Sequence, residues 1–316
     1  MVDDLDLKYR PQFFEELVGQ QHIASFLSSR IQHRAGSHKV ILHGPFGAGK
    51  TSAARIYARA LNCSSVTSNG SPCNDCTNCR AFLLDEFPDF LEYNGAIHGG
   101  IDHMKELIKI ANLRPLWGDF RVINIDEAHR VSPPGFDALL KLFEEPPPHS
   151  VFILTTTDFK RLPPTIRSRC HSFEVKLLDH VTSVGLLKRV CELESFTYEP
   201  RALELIAELS GGHARDLLKK LEQAVCESEV TAEQVRSTFS LSGVSAISRP
   251  VIPSVGRKRR SKRRYLELYQ WPTAASADAR PNASAPVSSE PPGPPPTVTV
   301  QRDEEQIIVL ACCRFG

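Results

Sequence analysis

The sequence predicts an α/β fold with a parallel sheet, followed by a small all-α domain and a disordered tail. Short apolar runs alternate with helical patterns as far as residue 177, and the pattern is helical from there to residue 243. Alternating strands and helices indicate a parallel sheet that is covered on both faces. We therefore expect domains at residues 1–177 and 178–243 and a tail at 244–316.

Five apolar runs are predicted to form the strands of the sheet. They are short, apolar and bounded by turn residues or helical patterns, as buried strands are. In chain order they lie at residues 40–42, 90–93, 121–125, 151–154 and 171–175.

Helices are predicted between these strands. One spans residues 51–61, and a second carries Ile101, Met104, Ile108 and Ala111 at helical spacing. A third runs to residue 144 and is opened by two prolines, which suit a first helical turn.

The second domain is predicted to be a small helical bundle. Apolar stripes mark helices at residues 181–191, 201–209 and 215–226. A fourth helix opens at Thr231 and Gln234, which have capping-box spacing.

The tail differs in composition from the rest of the chain. Ten of the 23 prolines lie after residue 245, and residues 272–300 are mostly Pro, Ala, Ser, Thr and Val. Such a segment buries too little apolar surface to offset its ordering entropy, which predicts disorder. Residues 257–264 carry seven positive charges; such runs are usually solvated, and a DNA-binding module acting through this run is an alternative function.

Overall charge and hydropathy exclude some classes of protein. Lys+Arg number 38 and Asp+Glu 37, so the chain is not a bulk-basic nucleic-acid binder. No apolar run approaches about 18 residues and the start has no signal-peptide pattern, so we expect no membrane contact and a cytoplasmic location. Nine cysteines in such a chain favour metal ligands or buried thiols over disulfides.

Residues 44–51, GPFGAGKT, match the phosphate-binding pattern G-x-x-x-x-G-K-[ST] between a strand and a helix. Such a loop surrounds phosphates with backbone N–H groups at a helix N-terminus. Lys50 is predicted to reach the β- and γ-phosphates and Thr51 to bind Mg²⁺; the alternative is a glycine-rich turn that binds nothing. The residues assigned to nucleotide binding here are Gly44, Gly47, Ala48, Gly49, Lys50, Thr51 and Ser52.

Two acids end the third predicted strand. Asp126 is expected to hold Mg²⁺, as a carboxylate at the end of a strand beside a P-loop does. Glu127 is expected to orient and deprotonate the attacking water. Without the P-loop, two solvated acids at a strand end would be the simpler interpretation.

Four cysteines form a candidate zinc site within residues 62–80. Cys63, Cys73, Cys76 and Cys79 have the spacing C-x9-C-x2-C-x2-C in a Ser/Asn/Pro-rich loop. Two-residue gaps let neighbouring thiolates face one ion, and four thiolates complete a structural Zn²⁺ site. An iron–sulfur cluster and four free thiols are the alternatives, although no Cys-Pro follows at ferredoxin spacing.

These motifs together resemble the bacterial DNA polymerase III gamma/tau family, the ATPase motor of the clamp loader. The resemblance covers about residues 7–243. It depends on KYRP, VGQ, GPFGAGKTS, ALNC, PCNDCTNC, VINIDEAH, ALLKLFEEPPP, TTT and SRC, in this order.

The resemblance implies an AAA+ fold with a five-stranded parallel sheet and a helical lid, and it implies further roles. Arg169 resembles the arginine finger that reaches a neighbouring subunit's nucleotide. Thr157 resembles the polar sensor, with Thr156 as the adjacent alternative, and Arg215 resembles the lid arginine that reads the γ-phosphate. The remaining residues, which resemble part of the adenine pocket, are Tyr9, Arg10, Val18 and Gly19.

The function implied is that of an ATP-hydrolysing clamp-loader subunit, acting with delta, delta-prime and further gamma/tau copies, the sliding clamp and primer–template DNA. The cofactors implied are ATP, Mg²⁺ and Zn²⁺. The family is commonly grouped with DNA-directed DNA polymerases, a class of nucleotidyltransferases, although no polymerase active site is recognisable here. A non-hydrolysing subunit resembling delta-prime is the alternative.

The sequence departs from the family at two places. Residues 93–100 read YNGAIHGG, where the family has an acidic-Ala-Ala-Ser stretch. Residues 246–316 do not resemble the family's third, collar-forming domain. We therefore expect a truncated or frame-shifted product, or a different assembly, and a mostly monomeric chain.

Overall fold

A computed structural model describes residues 4–33 and 39–240 of the chain. These residues belong to one compact unit, residues 1–248. The predicted tail and its basic run at 257–264 lie outside the described residues. None of the helices that the structure describes is long and apolar enough to cross a membrane.

The first part of the chain is an α/β layer structure around five strands. The strands are β1 (Lys39–His43), β2 (Phe90–Asn94), β3 (Arg121–Asp126), β4 (Ser150–Thr156) and β5 (His171–Glu174). The helices are α1 (Leu5–Lys8), α2 (Gln21–Gln32), α3 (Lys50–Leu61), α4 (Thr77–Leu83), α5 (Gly95–His98), α6 (Ile101–Asn112), α7 (Pro133–Glu144) and α8 (Pro164–Arg167). Short 3₁₀ turns lie at Phe14–Glu16, Ala128–Arg130 and Phe159–Arg161.

All neighbouring strands in this sheet are parallel, in the order β2-β3-β4-β1-β5. Successive strand residues point to opposite faces of the sheet, so each strand contributes side chains to two apolar cores. Val40 and Leu42 pack with α2 and α3 on one face. Ile41 packs with α6 and α7 on the other. The predicted parallel sheet with helices on both faces is confirmed.

The second part of the chain is helical. It contains α9 (His180–Glu194), α10 (Pro200–Ser210), α11 (Ala214–Ala224) and α12 (Ala232–Thr238). The predicted capping box at Thr231 and Gln234 is present at the start of α12. A two-residue parallel pair, β6 (Thr197–Tyr198) and β7 (Glu229–Val230), was not predicted.

The helical part has its own apolar core, and Leu5 of α1 is buried in it. The Leu5 backbone N–H also donates to Glu222 Oε2 of α11 at 3.2 Å. The N-terminal segment therefore extends from the α/β part to the helical part and contacts both.

Candidate nucleotide site and cysteine centre

A cavity of about 300 Å³ lies between the P-loop, the N-terminal segment and the helical part. Most of the residues assigned to nucleotide chemistry from the sequence line it. They are Tyr9, Arg10, Val18, Gly47, Ala48, Gly49, Lys50, Thr51, Ser52, Asp126, Glu127 and Arg215. Four assigned residues, Gly19, Gly44, Thr157 and Arg169, are not part of this lining.

The P-loop makes the turn that its glycines predict. Gly44 has φ +149°, and a Cβ there would fall 2.1 Å from the carbonyl oxygen of Val175, so no side chain fits. Lys50, only 6% exposed, donates from Nζ to the carbonyl oxygens of Gly44 at 3.0 Å and Pro45 at 2.7 Å. Burial lowers the pKa of Lys50, against the effect of the nearby acids. The loop thus holds a buried cation where phosphates are expected.

Two oxygen donors suited to Mg²⁺ line this cavity. Asp126 ends β3, and its Oδ1 accepts hydrogen bonds from Glu127 N at 2.9 Å and from the Thr155 hydroxyl. Thr51 stands in the first turn of α3. A hydroxyl and a carboxylate beside a phosphate-binding loop are the ligands that Mg²⁺ takes in such sites, so these residues fit the ion.

The Glu127 carboxylate is held by neighbouring side chains. Its backbone has φ +49° and ψ +43°, a left-handed conformation that is rare for residues other than glycine. Its Oε2 accepts from Thr157 Oγ1 at 3.2 Å and lies 3.3 Å from His129 Nδ1. Thr156 Oγ1 lies 3.0 Å from the same His129 nitrogen. Of the two threonines, Thr157 contacts the acid directly.

The N-terminal segment supplies one wall of the cavity. The Tyr9 hydroxyl is hydrogen-bonded to Glu194 of α9, and Lys8 Nζ lies 2.6 Å from the same carboxylate. Burial and Glu194 raise the pKa of Tyr9, so its hydroxyl remains a donor. Arg10 Nε donates to Ser52 Oγ of α3 at 3.3 Å. These contacts join the segment to both parts of the protein.

The helical part supplies the opposite wall. The Arg215 guanidinium lies 5.2 Å from the centre of the Phe46 ring, and its Nε lies 3.6 Å from Asp6 Oδ2. His213 Nδ1 is 2.7 Å from the carbonyl oxygen of Phe46. The P-loop therefore contacts His213 and Arg215, at the start of α11, directly.

Sequence reasoning missed several lining residues. Phe46 stands at a free position of the P-loop pattern, and Asp6 precedes every recognised motif. The apolar lining from the helical part is Leu178, Leu186, Val190, Ala214 and Leu218. Leu186, Val190 and Leu218 lie within predicted apolar stripes, which indicate burial but do not distinguish a core residue from a residue that lines a cavity. Leu178 and Ala214 lie outside those stripes.

Arg169 lies apart from the cavity, after α8. Its NH1 donates to the carbonyl oxygen of Thr165 at 2.8 Å, and its NH2 lies 2.7 Å from Glu144 Oε1. The role of Arg169 toward a neighbouring subunit stays a prediction.

The four predicted metal ligands are brought together. The sulfurs of Cys63, Cys73, Cys76 and Cys79 all lie within 4.8 Å of one another. A tetrahedral ion with Zn–S bonds of about 2.3 Å needs sulfurs roughly 3.8 Å apart, so the cluster fits Zn²⁺. The sequence indicated a loop throughout, whereas Cys79 stands on α4, which begins directly after Cys76.

Backbone groups surround these sulfurs. The N–H of Cys73 donates to Cys63 Sγ at 3.3 Å, and the N–H of Cys76 donates to Cys73 Sγ at 3.3 Å. Burial raises the pKa of Cys76, but hydrogen bonds from Ser64 and Cys79 outweigh it and hold that pKa at about 6. Burial raises the pKa of Cys63 and of Cys79, so among these three ligands only Cys76 favours the thiolate, the form that binds a metal.

Comparison with known proteins gives consistent relatives. A family model described as "DNA polymerase III, delta subunit" matches residues 19–179. The DNA polymerase III subunit gamma/tau of Mycobacterium tuberculosis H37Rv is 39% identical over 244 residues, which are 76% of this chain and 42% of the relative. The DNA polymerase III subunit tau of Escherichia coli K12 is 38% identical over 70% of this chain and 34% of the relative. The chain thus spans less than half the length of these relatives.

Solved structures agree on the fold. The Thermotoga maritima RuvB Holliday junction branch migration motor matches with a TM-score of 0.56 at 21% identity, over 74% of this chain and 72% of that one. Its similarity supports the AAA+ architecture that the sheet order and P-loop already indicate. The family match and the gamma/tau relatives together show that the chain belongs to the DNA polymerase III delta-subunit family, as an AAA+ subunit of the gamma/tau type.

Proposed function

We propose that this chain is an ATP-dependent clamp-loader subunit of the bacterial replicative DNA polymerase III holoenzyme. It binds and hydrolyses ATP, and the nucleotide state controls loading of the sliding clamp onto primed DNA. One observation carries the proposal: Lys50, Thr51, Asp126 and Glu127 line a single cavity roofed by the helical part. The gamma/tau relatives support the clamp-loader role.

Each residue has a distinct part in this proposal. Lys50 exchanges its two loop carbonyls for phosphate oxygens, and Glu127, oriented by Thr157, accepts the proton of the attacking water. Mg²⁺, held by Thr51 and Asp126, would neutralise charge on the phosphates. Arg215, in the helical part that covers the cavity, would contact the γ-phosphate.

The proposed partners are those of the clamp loader: delta, delta-prime, further gamma/tau copies and the sliding clamp. DNA would be held through backbone phosphates without base readout. The proposed location is the cytoplasm.

A non-hydrolysing, delta-prime-like subunit is the second candidate. The delta-subunit description of the matching family model favours it. The complete set of P-loop, magnesium and base residues in one cavity favours the first proposal. Steady-state phosphate release by the purified chain, mixed with the other clamp-loader subunits and primed DNA, separates the two.

The direct test of the nucleotide site is Lys50→Ala. Loss of the buried ammonium should abolish tight binding of a fluorescent ATP analogue. Lys160→Ala, an exposed lysine outside the cavity, is the matched control and should bind normally. Unchanged affinity in Lys50→Ala would refute the assignment.

A further inference from the structure

The loop that carries the cysteines packs against the segment that walls the nucleotide cavity. The Phe14 backbone N–H donates to Ser71 Oγ at 2.9 Å in the protein interior, and Ser71 Oγ donates to Glu15 Oε2 at 2.7 Å. Ser71 lies two residues before Cys73. The cysteine loop and one wall of the cavity are therefore in direct contact.

Arg59 lies at the junction between the two. It is 4% exposed, on the last turn of α3. Its NH1 donates to Gln12 Oε1 at 2.7 Å, and its NH2 donates to the carbonyl oxygen of Gln12 at 2.6 Å. Gln12 and Glu16 both line the cavity, and the Gln12 N–H donates to Glu16 Oε2 at 2.6 Å. Arg59 therefore fixes a cavity residue through two hydrogen bonds.

The same guanidinium lies beside the cysteine centre. It stands 5.8 Å from the centre of the Phe82 ring, on the helix that carries Cys79. Burial lowers the pKa of Arg59, and the charges on Cys79 and Cys63 act in the opposite direction. Four thiolates around one Zn²⁺ carry a net charge of about −2, which a buried cation complements.

Helix α3 gives a second connection. It begins at Lys50 in the P-loop and ends at Leu61, two residues before Cys63. Asn78 Nδ2 of α4 donates to the carbonyl oxygen of Asn62 at 2.9 Å, so the cysteine helix is tied to the end of the P-loop helix. The loop and the helix that carry the cysteines thus contact two elements that line the cavity, the N-terminal segment and α3.

We propose that Arg59 couples the cysteine centre to the nucleotide cavity, so that a metal on the cysteines and a nucleotide in the cavity bind cooperatively. This inference rests on the proposed function of the cavity. A metal that fixes the four cysteines also fixes Arg59 and, through Gln12, the cavity wall, and a nucleotide that orders the wall favours the same arrangement. The coupling is reciprocal: each ligand raises the affinity of the other by the same factor.

The test measures both directions on the full chain. A fluorescent ATP analogue is titrated into zinc-loaded protein and into protein stripped of zinc. Zinc affinity is measured by competition with a chromophoric chelator, with and without the analogue. We expect zinc to strengthen analogue binding about 5-fold or more, within the usual range of allosteric coupling, and the analogue to strengthen zinc binding by the same factor. The chelator competition starts from zinc-loaded protein, so it does not depend on a stable stripped form.

Two variants assign the coupling to Arg59. Arg59→Met keeps the buried side-chain length but removes both hydrogen bonds to Gln12, and it should bind the analogue equally with and without zinc. Arg59→Lys should restore part of the coupling. Arg55→Met is the matched control, because Arg55 stands one turn earlier, also faces Phe82 and pairs with Asp85 away from the cavity. It should keep the full coupling.

Three results would overturn the inference. Equal analogue affinity with and without zinc in the unaltered chain would remove the coupling. Full coupling in Arg59→Met would show that Arg59 does not transmit the coupling. Failure of both zinc-loaded and stripped protein to bind the analogue would overturn the proposed function itself, together with this inference.

Discussion

Glu127, the proposed catalytic base, has three notable structural features. It follows a strand end, it is held in a left-handed backbone conformation, and its carboxylate accepts from Thr157. A positioned carboxylate within reach of a bound water contributes typically 10²–10⁴-fold to rate. A left-handed backbone at a residue other than glycine costs free energy, and such strain is often found at functional sites.

The corresponding prediction is for Glu127→Gln. The amide keeps the size of the side chain but cannot accept the proton, so turnover should fall roughly 10²-fold or more while the ATP analogue still binds. Phosphate release under saturating ATP measures the turnover, and fluorescence titration measures binding of the ATP analogue. Glu86→Gln, an exposed carboxylate outside the cavity, serves as control. Near-normal hydrolysis by Glu127→Gln would remove Glu127 from the role.

At the scale of elements, the start of β3 is fixed by one buried carboxylate. Asp89 is fully buried and accepts from the backbone N–H groups of Leu116, Trp117 and Gly118. It also pairs with buried Arg121 at 3.0 Å. Burial alone would raise the pKa of Asp89, but these four donors outweigh it, so that pKa lies below its usual value.

Asp89→Asn should therefore lower the free energy of unfolding by about 3–5 kcal/mol at pH 7, because it leaves Arg121 buried without an anion. The folded-state pKa of Asp89 lies below its unfolded value of about 3.9, so its stabilisation is present above that value and lost as the pH falls through the folded pKa. Urea unfolding should thus show a smaller difference between the two proteins at pH 3 than at pH 7. An equal difference at both pH values would contradict the assignment. Asp75→Asn, which breaks an exposed pair with Arg80, should change stability little.

The cysteine centre is the second element-scale feature with a direct test. We expect one Zn²⁺ per chain and little iron in elemental analysis after purification without chelators. Cys76→Ser removes one of four ligands, so it should lower the melting temperature because metal binding contributes to folding. Hydrolysis at saturating ATP should persist, since the P-loop residues remain. Absence of zinc from the unaltered protein would reject the metal assignment.

How far the sequence predicts these elements depends on how local their signals are. The five strands are apolar runs, and the P-loop is a contiguous pattern, so both were found from the sequence. α4 was missed because its polar start reads as a loop, and β6 and β7 because two residues carry no periodicity. The cavity walls from Asp6 and Leu178 arise from contacts distant in the chain. No local pattern encodes such contacts.

At the scale of the whole molecule, two residues with proposed roles in ATP hydrolysis lie in different places. Lys50 lines the cavity beside the P-loop, whereas Arg169 lies outside that cavity and pairs with Glu144. A finger presented to a neighbouring subunit has this arrangement, and in other NTPases such an arginine contributes 10³–10⁵-fold to rate. The geometry therefore separates the effects of the two residues.

In a reconstituted assembly, Arg169→Ala should reduce DNA- and clamp-stimulated turnover and leave binding of the ATP analogue nearly intact. A mixture of Lys50→Ala and Arg169→Ala chains should recover some activity, because an intact P-loop and an intact finger then meet at some interfaces. Phosphate release from each variant and from the mixture is the measurement. Loss of analogue binding by the isolated Arg169→Ala chain would place Arg169 in its own site.

The crossing of the N-terminal segment has a consequence for synthesis on the ribosome. Leu5 completes the helical core and its N–H reaches Glu222, a partner 217 positions later. At about 5–20 residues per second, the segment waits roughly 10 to 40 s for that partner to be translated. The α/β part is synthesised first, whereas the nucleotide cavity closes only when the helical part emerges. The cavity beside the P-loop is therefore completed after the α/β part, and Leu5 lacks its apolar neighbours from the helical part during this interval.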